Sequence, residues 1–289
     1  MKKSTLIVIT IISITYLTNG QNPEWLNFTN GDYITAIAEE GNNVWIGTKG
    51  GLVQLDKVSG IPIFYNKGNT GLPDNYVRTI AVDMDGTKWI GTMYGGLVSF
   101  DGSSWIVYDT SNSGLPDNLI NDIAIDGNGT KWIGTWDGGI TSFNNTNWIV
   151  YDTSSSELPE NNVQSIAIDE NGIKWIGTYG GGMAEFDDIN WTIYNSSNSN
   201  MPHNYIQNIA IDEDGTKWIG LLYWWHSGGL IAFNDTNWIV YDGYNSGIPF
   251  GSINELEIDY NGTKWIGMEN GLVTFDGIDW TIYNSSNSG

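Results

Sequence analysis

Apolar and polar residues alternate with a period of two over short stretches of this chain, and clusters of Gly, Asn, Asp and Ser interrupt them every few residues. From Leu115 one such unit runs through Leu-Pro-Asp-Asn and Ile120 to Asp126. It then crosses a Gly-Asn-Gly turn to Thr130–Thr135, a Gly-Gly pair to Ile140–Phe143, and a final stretch at Trp148–Tyr151. Ile-Ala-Ile at Ile123–Ile125 shows the alternation, and β-branched and aromatic residues fill the remaining stretches, so each is predicted to be a strand. Helix signals are absent. The unit recurs: Trp-Ile-Gly begins at Trp45, Trp89, Trp132, Trp175, Trp218 and Trp265, at spacings of 44, 43, 43, 43 and 47 residues. A period of about 40–45 residues carrying four strands predicts a β-propeller blade, a small sheet that buries both faces only when neighbours stack on it.

The recurrent tryptophan is expected to pack between blades. Lys88, Lys131, Lys174, Lys217 and Lys264 each precede one of these tryptophans on the opposite strand face and are expected to pair with carboxylates. Six units supply the first three strand types, yet the aromatic-ended fourth type appears seven times: Trp25–Phe28, Pro62–Tyr65, Trp105–Tyr108, Trp148–Tyr151, Trp191–Tyr194, Trp238–Tyr241 and Trp280–Tyr283. If Trp25–Phe28 closes a blade from the N-terminal side, that blade needs three further strands, which would make the chain the front part of a seven-bladed ring. A self-closed six-bladed ring is the alternative. The fold class expected is thus all-β, a β-propeller of four-stranded blades with six repeats present, over residues 21–289.

Residues 1–20 read as a signal peptide: Met1-Lys2-Lys3, an apolar run from Leu6 to Leu17, then Thr18-Asn19-Gly20, with Gln21 opening the mature chain. The run is shorter than the ~20 residues of a spanning helix. Export to the periplasm, the cell surface or the medium is expected. The chain has no cysteine, which excludes a disulfide framework and thiolate metal sites, so packing must supply stability. Its 289 residues carry a formal net charge of −22, two units more negative once Lys2 and Lys3 are removed. Nucleic acid is not an expected partner, because a phosphate backbone needs a Lys/Arg stripe and Arg78 is the only arginine.

Because strands alternate in direction, the loop between the second and third strands shares a face with the loop joining one blade to the next. The variable residues gather there: Met93-Tyr94, Trp136-Asp137, Tyr179, a longer stretch Leu222-Tyr223-Trp224-Trp225-His226, and Met268-Glu269. The ligand-binding candidates are Tyr94, Trp136, Asp137, Tyr179, Tyr223, Trp224, Trp225, His226 and Glu269: aromatic faces stack on sugar rings, and the polar groups bond hydroxyls. The competing reading is that they only cap the centre of the propeller. Asp-x-Asp/Asn-Gly turns at Asp83, Asp126, Asp169, Asp212 and Asp259 resemble the opening of a calcium loop, but lack its terminal glutamate and return at once to strand. Tight hairpins prefer the same residues, so a turn role is expected and no metal. Two histidines, His203 and His226, and no Gly-x-Ser-x-Gly elbow give little support to catalysis.

The strings Leu115–Asn118 (Leu-Pro-Asp-Asn), Asp83–Thr92 (Asp-x-Asp-Gly-Thr-Lys-Trp-Ile-Gly-Thr) and Gly95–Leu97 (Gly-Gly-Leu) resemble the two-component regulator propeller repeat. The resemblance spans roughly residues 25–283. It implies a periplasmic sensor or secreted propeller whose ligands are typically oligosaccharides. A second propeller, a membrane helix after the repeats and a kinase, parts of the sensor architecture, are not found in this sequence. The expectation is a non-catalytic extracytoplasmic module that binds an oligosaccharide or polysaccharide, without cofactor. A scaffold for an envelope protein is the first alternative and a polysaccharide lyase or hydrolase the second.

Overall fold

The computed structural model describes residues 33–224, 227–269 and 271–287. The signal-peptide segment and the strand expected at Trp25–Phe28 lie outside them. The described residues form six four-stranded antiparallel sheets, each made of four consecutive strands, and this is a β-propeller fold. The first strands are β1 (Ile34–Glu40), β5 (Val77–Val82), β9 (Ile120–Ile125), β13 (Val163–Ile168), β17 (Ile206–Ile211) and β21 (Ile253–Ile258). The second are β2 (Asn43–Thr48), β6 (Lys88–Thr92), β10 (Lys131–Thr135), β14 (Lys174–Thr178), β18 (Lys217–Trp224) and β22 (Lys264–Met268). The third are β3 (Gly51–Asp56), β7 (Leu97–Phe100), β11 (Ile140–Phe143), β15 (Met183–Phe186), β19 (Ser227–Phe233) and β23 (Gly271–Phe275). The fourth are β4 (Pro62–Tyr65), β8 (Trp105–Tyr108), β12 (Trp148–Tyr151), β16 (Trp191–Tyr194), β20 (Trp238–Tyr241) and β24 (Trp280–Tyr283). Two compact units divide the chain, one ending at residue 133 and taking in 142–149, the other holding 134–141 and everything from 150. The division passes through the third sheet.

Within each unit the repeated tryptophan is the inter-blade residue its position foretold. Trp45 is buried among Val77, Ile80, Ile90 and Phe100 of the following blade, and Trp175 among Ile206, Ile209 and Ile219. A buried tryptophan removes about 150–250 Å² from water, ~4–6 kcal/mol at ~25 cal/mol per Å² before the entropy of ordering it. Aromatic rings continue the contact outward. Trp45 meets Tyr65 at 5.8 Å, Tyr65 meets Phe100 of the next blade at 5.6 Å, and Phe100 stacks on Trp105 at 4.0 Å. The same four-ring series recurs at Trp175, Tyr194, Phe233 and Trp238.

The glycine of Trp-Ile-Gly belongs to this joint. A Cβ on Gly177 would lie 2.5 Å from Ile206 Cγ2 and one on Gly91 2.6 Å from Ile120 Cγ2, so the first residue of the next blade occupies the space a side chain would need. Those first residues, Val77, Ile120, Val163, Ile206 and Ile253, are fully buried, whereas Ile34 at the same position of β1 is 48% exposed. A Cβ on Gly267 would meet nothing nearer than Glu255 at 3.3 Å.

The lysines also cross the joint. Lys88, Lys131, Lys217 and Lys264 set their ammonium groups 4.1–4.9 Å from the ring centres of Trp45, Trp89, Trp175 and Trp218 of the preceding blade. Each is buried and each has a carboxylate partner, Glu40, Asp83, Asp235 and Asp212 respectively; Lys174 pairs with Asp188. The acidic turns have a structural duty. Asp126 accepts the N–H groups of Asn128 and Thr130 on Oδ1 and the indole N–H of Trp132 on Oδ2. Asp169, Asp212 and Asp259 repeat the arrangement with Trp175, Trp218 and Trp265. With both oxygens turned to the chain's own donors, these carboxylates act as turn and tryptophan anchors.

Candidate ligand-binding site

The face carrying the hairpins between second and third strands is built by the Leu-Pro-Asp-Asn loop. Leu72 is buried and fixes the loop to the core, while Pro73 lies so close to Gly95 that a Cβ there would meet it at 2.7 Å. Asp74 then clamps two backbone segments, its Oδ1 accepting the Tyr76 N–H at 3.2 Å and its Oδ2 the Tyr94 N–H at 2.9 Å. Asn75 accepts the N–H of Lys67 from the preceding loop, as Asn118, Asn161 and Asn204 do from Thr110, Thr153 and Ser196. Backbone bonds continue the ladder past the strand ends: Met93 to Tyr76, Tyr179 to Asn162 and Leu222 to Tyr205. Rigid elements thus carry the hairpin tips, which suits recognition of a ligand by preformed geometry.

Three candidate aromatics stand out from the surface, Tyr94 at 70% exposure, Trp136 at 46% and Tyr179 at 36%; Asp137 and Glu269 are exposed as well. Tyr94 belongs to the first unit, and Trp136, Asp137, Tyr179 and Glu269 to the second. The Tyr179 ring meets Tyr205 edge to face at 5.0 Å. The longer stretch after β18 extends the hairpin, because the pairing of β18 with β19 shifts register after Leu221 and resumes at Trp224 opposite Ser227. Trp225 and His226 lie outside the described residues, as do the side chains of Tyr223 and Trp224.

Several residues on this face escaped the sequence reading. The position of Asp74 in its loop is taken by Glu160, His203 and Phe250 in later blades, and Phe250 is exposed and edge to face with exposed Tyr244 at 4.7 Å. His203 Nδ1 accepts the Tyr205 N–H at 3.1 Å and its ring lies 5.8 Å from that of Tyr205. The legible signal was the break in an otherwise regular Leu-Pro-Asp-Asn string. A second missed set is the extra residue of a bulge near the start of first strands. In β5 the register steps from Val77↔Thr92 to Thr79↔Gly91 and leaves Arg78 between, and Thr35, Gln164, Gln207 and Asn254 occupy the same place. Such bulges re-aim a side chain. In the first unit Lys49 sits 4.1 Å from the centre of the Tyr33 ring and 5.5 Å from that of Tyr76.

The description of the two-component regulator propeller family matches residues 71–94 and 157–180, the two stretches that run from the Leu-Pro loop to the hairpin tip. Among solved structures, the extracellular domain assigned to a hybrid two-component system of B. thetaiotaomicron is 27% identical, with a TM-score of 0.74 over 88% of this chain. The extracellular domain assigned to a one-component system of the same organism is 20% identical, with a TM-score of 0.55 over 87% of this chain. This chain spans 34% of the length of the first and 43% of the second. Virginiamycin B lyase from Staphylococcus aureus shares the fold at 12% identity, with a TM-score of 0.72 over 89% of this chain and 86% of its own. No match was found among curated proteins. The chain thus carries two stretches that match the two-component regulator propeller repeat, at residues 71–94 and 157–180, on a propeller similar to the extracellular domain of a two-component system.

Proposed function

We propose that the protein is an exported, non-catalytic propeller that binds a carbohydrate on the face formed by the hairpins between second and third strands. The observation that carries this reading is the exposure of Trp136 and Tyr179 on hairpin tips, whereas the tryptophans of Trp-Ile-Gly are buried or, at Trp265, half-buried. Flat aromatic faces match the apolar face of a pyranose, and exposed Asp137, next to Trp136 in its hairpin, and exposed Glu269, on the hairpin of another blade, supply acceptors for hydroxyls. The likeness to extracellular domains of B. thetaiotaomicron signalling systems supports both export and ligand recognition. The likeness to a lyase, at 12% identity, speaks only of the fold.

Titration calorimetry of the whole protein against a panel of plant, algal and host glycans tests the reading. Trp136→Met, which copies Met93 at the equivalent tip, should weaken binding by about tenfold or more, in keeping with ~1–3 kcal/mol for a lost stacking contact. Trp224→Ala/Trp225→Ala should do the same. Binding of no glycan, or full affinity in all these variants, would refute it.

A further inference from the structure

Of the nine lysines and arginines among the described residues, six have a carboxylate partner, and Lys49, Lys67 and Arg78 do not. Lys57, Lys88, Lys131, Lys174, Lys217 and Lys264 each lie within 4 Å of a carboxylate. Arg78 differs. It is the extra residue of the β5 bulge and is half-buried; its Nε is buried and has no hydrogen-bond partner among the described residues. Among the described residues its fork has the weak acceptor of the Met93 thioether, 4.0 Å from Nη1. Burial pushes the guanidinium down from its ordinary value, opposed by the hydroxyls of Tyr76 and Tyr94 and by no carboxylate. Its electrostatic neighbours are exposed Tyr94, held by Asp74, and Tyr76, whose ring, with that of Tyr33, also lies near the Lys49 ammonium. Among the described residues no carboxylate forms an ion pair with this arginine.

A desolvated guanidinium without an acceptor is costly in a folded protein, and its planar fork matches a carboxylate in two parallel hydrogen bonds. We infer that Arg78, with Lys49 and the tyrosines Tyr76 and Tyr94, forms an anchor for the carboxylate of an acidic sugar residue in an oligosaccharide ligand. This rests on the carbohydrate reading above and narrows it. Arg78 takes the carboxylate, Lys49 supplies a second positive charge, and the tyrosine faces take the sugar ring. The strongly negative net charge disfavours long polyanions, so a short oligosaccharide with few acidic units fits better than an extended polyuronate.

Because Arg78 is the only arginine, the ¹⁵N spectrum of the whole protein contains a single arginine Nε–Hε cross-peak, and that peak reports on the proposed anchor directly. Trigalacturonate should shift it in a saturable way, while the fully methyl-esterified trimer, with the same rings and no charge, should bind at least tenfold more weakly. Arg78→Gln should cost about ten- to a hundredfold in affinity for the acid and leave the ester unaffected. Glutamine is already tolerated at this bulge, as Gln164 and Gln207 show, so loss of folding is not the expected explanation. Lys49→Met, a copy of Met93, should cost a few fold. An unmoved cross-peak, equal affinity for acid and ester, or an equal shift with inorganic sulfate would overturn the inference. Neutral glycans binding without moving the Arg78 peak would overturn it too while leaving the carbohydrate reading intact, whereas failure of the whole glycan panel defeats both.

Discussion

Adding one methyl group to Gly177 puts the inter-blade joint under direct test. The new Cβ would lie 2.5 Å from Ile206 Cγ2 and 3.3 Å from Ile209 Cδ1. Carbon atoms prefer about 3.5–4.0 Å, so the two blades must move apart by about 1 Å around an isoleucine that is fully buried. Overpacking of this size costs about 1–3 kcal/mol. Alanine otherwise gains ~0.5–1 kcal/mol over glycine within a strand, so the joint must outweigh that gain before any loss appears. Gly267 supplies the control: it has the same place in the repeat, but its Cβ would find Glu255 at 3.3 Å and no β-branched neighbour. Thermal melts followed by near-ultraviolet circular dichroism, with urea unfolding for ΔΔG, should show Gly177→Ala losing about 1–3 kcal/mol, at about 2–4 °C per kcal/mol or somewhat less for a chain of this length. Gly267→Ala should fall between neutral and a gain of about 1 kcal/mol. In an Ile206→Ala background the Gly177→Ala penalty should vanish, since the clashing methyl is gone. Equal effects at Gly177 and Gly267, or no coupling to Ile206, would refute the reasoning.

Lys131→Met should lose about 3 kcal/mol or less, because Asp83 is left without its cation but keeps some contact with water, and Asp83→Asn in the same chain should restore part of the loss, measured by urea unfolding. Burial, together with the hydrogen bond to Glu185, raises the Tyr194 hydroxyl above its ordinary value. Its contribution to stability is therefore complete below about pH 10, the unfolded value, and is lost as the pH rises toward the folded one. Absorbance at 295 nm should show Tyr194→Phe removing a tyrosine that ionises only above the main titration; an unchanged high-pH limb would contradict this.

Strand content and blade boundaries were legible because the repeat states them six times, and each Trp-Ile-Gly sits where a second strand must bury one face on the next blade. The lysine–carboxylate pairs were legible in kind, but their cation–π contacts to the preceding blade's tryptophan were not, since alternation along one strand says nothing about a neighbour 43 residues away. The turn aspartates followed from hairpin chemistry; their second duty, holding the indole N–H six residues on, needs the strand's register. On the candidate face, Trp136 and Tyr179 were visible as variable residues among constant ones. Arg78, Tyr205 and Phe250 were not, because a one-residue bulge or a substitution inside Leu-Pro-Asp-Asn changes the direction of a side chain without disturbing the hydrophobic pattern. The four extra residues near Trp224 read as a loop, whereas the backbone resumes pairing at Trp224 opposite Ser227 beyond a register shift.

The joint between blades has a direction. At Gly47, Gly91, Gly134, Gly177 and Gly220 a glycine socket on one blade's second strand receives the next blade's β-branched plug, so the contact is head-to-tail and of one kind wherever it occurs within a unit. An array with such a joint can gain or lose a whole repeat by in-frame duplication or deletion without inventing a new contact. It also makes each blade's surface loops free to diverge, since none of the plug-and-socket atoms lies in them. Evolution can then rewrite the hairpin tips one blade at a time, exchanging Met93 for Trp136 or Tyr179, and so alter what is recognised while the stacking grammar stays constant.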